Sequence, residues 1–299
     1  MRIGLAIRLY GIPGSPRPLP TWQSLRHQAL TAEATGFDLV VVEDALSFPL
    51  EDKTVGLWES ISVLAAMAEA TTTIDVGHSV LNGPYRSPGM VAKVAETLDE
   101  ISGGRYILGI GAGNSPDADY AAFGFPADHR YSRFAEQIEI VHRLLRHGRV
   151  DYEGAFHTAR GAEMVLRGPR AQGPPIVIAA AGPKMLGLVA RFADGWNWWA
   201  KPHATPAELR PMMGDLDRAC EEAGRDPATL ARSLDLYFPV GPERDDTGSS
   251  DQAAAEAILA FGDLGVTEVR CYLPAADTHD DQLAAISGME GVVERVRRG

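Results

Sequence analysis

SGGRYILGIGAGNS, residues 102–115, joins a basic residue, a short apolar run and a string of closely spaced glycines. Its reading separates two fold classes. As a dinucleotide fingerprint, Gly109-x-Gly111 requires a third glycine at position 114, where Asn114 stands. No helix start follows at once either, since Pro116 and several polar residues precede Phe123. A partial G-x-G-x-x-G outside a strand-turn-helix context is a weak signal. RYILGI therefore reads as a buried strand whose terminal glycines let a flat ligand approach the backbone.

The same strand type recurs along the chain. Short apolar runs stand at residues 2–9, 38–43, 73–81, 105–110, 175–181, 195–199, 233–240 and 267–273. Longer segments with helical periodicity follow each of them: 21–35, 56–70, 88–101, 130–147, 183–193, 205–224, 251–264 and 280–298. Thr21, Ser87-Pro88, Thr205-Pro206 and Asp251 suit helix starts, and Gly36, Gly148, Gly224 and Gly265 suit helix ends. Eight βα units without a break predict an α/β fold, a single (β/α)8 barrel over residues 1–299. Segment 149–174 reads as a hairpin-like insertion, and loops 10–20 and 44–55 follow strands on the face where such barrels build active sites.

Composition narrows the partners. The net charge of −12 opposes a general nucleic-acid or anionic-membrane partner. The longest apolar runs fall far short of the roughly 18 to 20 residues of a membrane span. The N-terminus lacks a secretory signal, and the cysteines, Cys220 and Cys271, form no metal spacing. A cytoplasmic protein with reduced thiols, no bound metal and a small-molecule substrate is expected.

On the strand C-termini lie Glu43 and Asp44, which could supply a base or an acceptor or simply cap the strand. Gly182-Pro183 opens a helix whose free N–H groups, with Lys184 nearby, suit an anion, although a plain turn accounts equally well for the glycine. His78 reads as a packed or partner-bonded histidine. In GWNWW, alternation sends Trp196 and Trp198 to one side and Trp199 to the other, as a pocket wall or a core plug.

Three runs together, GFDLVVVED (36–44), VGHSVLNGPYRSPGMVAKVAETLDEISGGRYILGIGAGN (76–114) and PPIVIAAAGPKMLGLVARFADGW (174–196), resemble the bacterial luciferase-like superfamily of flavin-dependent monooxygenases and coenzyme F420-dependent oxidoreductases. The resemblance implies a true barrel with a flavin or deazaflavin ring across the strand C-termini, nearer the F420 branch. It implies a non-proline cis peptide at Ser79–Val80, with Ser79, Val80 and Asn82 supporting the ring. Gly111, Ala112, Gly113 and Asn114 would border that ring, and Ala181, Gly182 and Pro183 would hold the cofactor phosphate.

In the F420-dependent glucose-6-phosphate dehydrogenase type, a histidine follows the second-strand aspartate and a glutamate follows the glycines. Here those places hold Ala45 and Asn114, which argues against sugar-phosphate oxidation. Glu43, Asp44 and Asn114 are the expected catalytic residues, and Arg86, Arg130 and Arg133 could meet an acidic cofactor tail. The expected activity is hydride exchange between coenzyme F420 and a small organic substrate, with an FMN-dependent monooxygenase as the alternative. Homodimers are usual in the resembled family.

Overall fold

The computed structural model describes residues 1–12, 14–15, 17–51, 53–113, 118–202, 204–238 and 249–299. In chain order the strands are β1 (Arg2–Ile7), β2 (Leu39–Val42), β3 (Ser47–Leu50), β4 (Lys53–Gly56), β5 (Asp75–His78), β6 (Leu81–Asn82) and β7 (Tyr106–Gly111). They continue with β8 (Arg149–Glu153), β9 (Thr158–Glu163), β10 (Ile176–Ala179), β11 (Gly195–Trp199), β12 (Ala231–Tyr237) and β13 (Glu268–Tyr272). The helices are α1 (Trp22–Thr35), α2 (Ser60–Ala70), α3 (Pro88–Ile101), α4 (Ala118–Phe123) and α5 (Arg130–His147). After them come α6 (Pro183–Phe192), α7 (Pro206–Glu222), α8 (Ser249–Leu259), α9 (His279–Ser287) and α10 (Glu290–Arg298).

Eight strands pair in parallel in the order β10-β11-β12-β13-β1-β2-β5-β7, and β7 pairs back onto β10 to close the ring. This is the (β/α)8 barrel that the sequence predicts. The other strands are appendages: β3 and β4 form an antiparallel hairpin within loop 44–55, β8 and β9 form the expected inserted hairpin, and β6 extends the barrel wall beside Ile110 and Gly111.

Side chains on a strand alternate between the barrel axis and the helices. Ile3, Leu5 and Ile7 of β1 pack with the helical layer, as do Val40 and Val42 of β2. The intervening Ala6, Leu39 and Val41 join Ile107, Val177 and Tyr272 in a separate cluster inside the barrel. Trp196 and Trp198 fall on the helical side and Trp199 on the other, as alternation predicts.

Three helix boundaries differ from the sequence reading. The segment predicted to be helical from 56 begins at Ser60, because residues 53–56 complete the hairpin and the Glu59 carboxylate accepts from the Ile61 and Ser62 amides at the helix start. The segment 251–264 divides into α8 and a short 3-10 turn at Gly262–Leu264. The stretch 280–298 divides at Gly288-Met289, and α10 there turns Val292, Val293 and Val296 into the core.

Gly109 has a steric role. A Cβ at this position would lie 1.9 Å from the His78 carbonyl oxygen, so the neighbouring strand can pass only where no side chain stands. Gly109→Ala is expected to destabilise the fold by about 3 kcal/mol through overpacking. Denaturant unfolding checks this, and a midpoint equal to that of the parent chain would contradict it.

Candidate active site at the strand C-termini

A cavity of about 580 Å³ opens where the barrel strands end. One wall is backbone-rich: Ser79 to Asn82 on one strand end, and Gly111 to Gly113 on the next. Ala179 to Ala181 continue it toward α6, while Trp199, Tyr237 and Tyr272 face it from the opposite strands. These rings form a contiguous surface: Tyr237 stacks on Tyr272 at 5.4 Å between centroids, and Trp199 meets Tyr237 edge-on at 5.7 Å. The Ser79–Val80 peptide is cis, as the resemblance implies.

The consecutive acids Glu43 and Asp44 take opposite directions, which is the alternation of β2 carried past its end. Asp44 faces the surrounding elements and has both oxygens engaged. The Ser60 hydroxyl donates to Oδ1 at 2.6 Å, the Asn82 amide donates to Oδ2 at 2.8 Å, and the Arg86 guanidinium pairs with both at 2.5 and 3.1 Å. Arg86 also reaches Glu59 at 3.0 Å. Asp44 thus ties the end of β2 to the start of α2 and to the cavity wall at Asn82. Tyr120 braces the same wall by donating its hydroxyl to Asn82 Oδ1 at 2.8 Å.

Glu43 lines the cavity, and its Oε1 is buried with no hydrogen-bond partner among the described residues. Burial pushes its carboxyl up to about 7, against the opposing pull of the nearby Arg8 charge and the Leu9 amide. Sequence reasoning placed Glu43 and Asp44 together. The structure brings both to the cavity lining, leaves one buried oxygen of the first without a partner among the described residues and holds the second in an ion pair.

Beneath the cavity lies a buried polar network that sequence reasoning did not identify. Ser79 donates its hydroxyl to Asp235 at 2.8 Å, and Asn197 donates to the other Asp235 oxygen at 3.0 Å. Arg270 donates to the Ser79 hydroxyl and to Glu268, both at 2.9 Å. Burial raises the Asp235 carboxyl pKa, while Arg270, Asn197 and Ser79 oppose the shift. The only advance signal was polar residues at every second position of β12 and β13, inside runs otherwise read as apolar.

At the cavity edge, α6 begins at Pro183 with Gly182 as its N-cap and no side-chain cap. Gly182 has φ 73° and ψ 155°, a conformation suited to glycine, and nothing lies within 4 Å of where its Cβ would stand. Lys184 is exposed nearby, its ammonium 5.7 Å from the centre of the Tyr131 ring. Asn114 lies outside the described residues.

The three arginines considered for an acidic tail have other engagements here. Arg86 pairs with Asp44 and Glu59, Arg130 donates to the Gly113 carbonyl at 3.1 Å, and Arg133 pairs with Asp128 at 3.1 Å. His78 is bonded to the Tyr106 hydroxyl at 2.9 Å outside the cavity, and burial pulls it down to about 4.

The Asp44–Arg86 pair is buried enough for its loss to be felt, with side-chain exposures of 1% and 13%. Arg86→Ala, which leaves the Asp44 charge without its partner, is expected to destabilise the protein by about 3–5 kcal/mol. Adding Asp44→Asn to that variant should restore part of the loss. Equal stability of Arg86→Ala and the parent in urea unfolding would contradict the clamp.

Residues 1–290 match the family described as luciferase-like monooxygenase. The 5,10-methylenetetrahydromethanopterin reductase of Archaeoglobus fulgidus is 33% identical over 240 residues, covering 80% of this chain and 66% of that protein, so the chain spans just under two thirds of its length. An F420-dependent glucose-6-phosphate dehydrogenase of Beutenbergia cavernae is 35% identical over 244 residues, covering 79% of this chain and 68% of that one. The solved structure of an F420-dependent secondary alcohol dehydrogenase, in complex with an F420-acetone adduct, shares the fold with a TM-score of 0.79. The match covers 99% of both chains at 18% identity. With the barrel, the strand-end cavity and a family match over nearly its whole length, the chain belongs to the luciferase-like monooxygenase family.

Proposed function

We propose that this protein is an oxidoreductase exchanging hydride between coenzyme F420 and a small organic substrate in the strand-end cavity. The observation that carries the reading is the uncapped N-terminus of α6 at the edge of a cavity with a backbone-rich wall and a buried, unpartnered Glu43 oxygen. An uncapped helix N-terminus presents free N–H groups and roughly half a positive charge, which favours a phosphate. Ala181, Gly182 and Pro183 would hold that phosphate, with open space over Gly182 to admit it. Ser79, Val80 and Asn82 would support one side of a flat ring, with Gly111, Ala112 and Gly113 at its border. Bound there, the deazaflavin would supply a two-electron hydride carrier.

The protein's own groups would do the rest. Glu43 would hold or release a proton at the cavity, Asp44 fixes the wall through Asn82 and Arg86, and the stacked Tyr237 and Tyr272 rings would flank the ligand. Asn114 is kept as a polar partner at the glycine border, on the sequence alone. Two of the similar proteins named above carry F420 in their names, which favours F420 over FMN. We further assign the protein to the cytoplasm as a homodimer. Cys220 and Cys271, both buried and unpaired, suit a reducing compartment.

Parallel fluorescence titrations of the purified protein with F420 and FMN test the cofactor. F420 is expected to bind and FMN to bind weakly. Tight FMN binding with no F420 affinity would overturn the reading in favour of the FMN-dependent alternative. Lys184→Glu, an exposed change beside the α6 N-terminus, should weaken F420 binding about tenfold, some 1.4 kcal/mol, while leaving the unfolding midpoint in place. Unchanged affinity would remove the phosphate assignment.

A further inference from the structure

Loop 10–20 follows β1 on the face where the barrel builds its site, yet none of its described residues lines the strand-end cavity. They cover instead a separate groove of about 530 Å³, walled by the 8–21 loop, one face of α1, residues 273–278 and α9. The two spaces adjoin at Arg8. This residue lines the groove, and its guanidinium lies 5.9 Å from the centre of the Tyr272 ring, which lines the cavity.

The linings are opposite in charge. The cavity lining holds Glu43, Asp44 and Asp235 and, among the described residues, no lysine, arginine or histidine. The groove lining holds Arg8, Arg17, His27 and His279 and, among the described residues, no aspartate or glutamate. In a chain with 40 acidic residues and a net charge of −12, a cleft lined by cations alone concentrates a positive field that attracts an anion.

Arg17 has the capacity to meet one. Its Nε donates at 3.1 Å to Asp277, which stands outside the lining, and its two terminal nitrogens make no hydrogen bond among the described residues. Those nitrogens form a planar fork that matches a carboxylate. Arg8 is more engaged: it donates to the Leu273 carbonyl at 2.5 Å, and its charge acts on Glu43. With both arginines already partly compensated, the groove favours a singly charged head over a dianion.

The rest of the lining favours an apolar body behind that head. Ile12 and Leu19 line the groove at 37% and 57% exposure, and a ligand covering them would remove apolar surface from water. The walls are also held in place before any ligand arrives. His27 Nδ1 and His279 Nε2 are bonded at 3.2 Å, which joins α1 to α9. Gln282 accepts from the Ala276 amide at 3.0 Å, and Trp58 donates its indole N–H to the Pro20 carbonyl at 2.7 Å. A groove formed in advance loses little to ordering on binding.

We propose that this groove is a second ligand site, which takes a small organic acid with one carboxylate head and an apolar body. Arg17 pairs with the carboxylate, and Ile12 and Leu19 cover the body. The site is separate from the strand-end cavity and does not rest on the deazaflavin reading.

The test is calorimetric titration of the full chain at pH 8 with four probes that share one alkyl chain: octanoate, octanol, octylamine and octyl phosphate. Octanoate is expected to bind about tenfold more tightly than each of the others. Arg17→Gln, at an exposed side chain, should weaken octanoate about fivefold and leave the unfolding midpoint in place. Ala275→Trp, which fills the groove from an exposed loop position, should abolish octanoate binding. Saturating F420 should leave the octanoate affinity unchanged.

No octanoate binding, equal or tighter binding of any other probe, unchanged affinity in Arg17→Gln, or displacement of octanoate by F420 would each overturn the proposal. Arg17→Gln keeps the test decisive if the tryptophan disturbs its loop. Failure of F420 itself to bind removes the cofactor reading alone, and the probe series and the two variants still decide this one.

Discussion

A side chain leaving a barrel strand can face only the barrel axis or the helical layer, and its neighbour in sequence must face the other way. That constraint sets out the whole site. It turns Glu43 into the cavity and Asp44 toward α2 and Arg86, so two adjacent acids serve different ends. It puts Asn197 and Trp199 on the axis side of β11 while Trp196 packs behind, donating its indole N–H to the Ala180 carbonyl at 2.9 Å. It also brings Asp235 and Arg270 together with Ser79 beneath the cavity, from strands far apart in sequence.

The interior that results is divided. One side of the barrel is filled by Ala6, Leu39, Val41, Ile107 and Val177, the other by Glu268, Arg270, Ser233, Asp235 and Asn197. Buried polar groups are tolerable only when their hydrogen bonds are made. Here Asp235 accepts from two side chains and Arg270 donates to two, which holds the cavity floor in one arrangement. Asp44 does the same for the wall, since one carboxylate joins β2, α2, the β6 segment and Arg86. A cavity with its floor and wall fixed in this way has one further acid in its lining, Glu43.

Much of the fold was legible in the sequence because buried parallel strands advertise themselves as short apolar runs separated by helical periodicity. The closing of the ring, the inserted 149–163 hairpin and the ends of α1, α3 and α5 all followed from such local signals. The β3–β4 hairpin did not, because SFPLEDKTVG carries no regular alternation and its pairing is fixed by the loop it closes. The break of the last helical stretch at Gly288-Met289 was likewise hidden, being set by where Val292 and Val296 must reach. For the site, the motif named the right strand ends but not the division of labour. That Asp44 sits in an ion pair while one Glu43 oxygen keeps no partner among the described residues depends on Arg86, 42 residues on from Asp44, and on Arg8 just past the end of β1. No local pattern reports such contacts.

The central claim is that the strand-end cavity and the α6 N-terminus together form one deazaflavin site faced by Glu43. A crystal structure of the protein soaked with F420 tests it most directly. The account predicts the cofactor phosphate at Ala181, Gly182 and Pro183, the ring against Val80 and Gly111, and Glu43 facing the reactive edge. A phosphate bound elsewhere, or a ring seated in the groove between the 8–21 loop and α9, would contradict it.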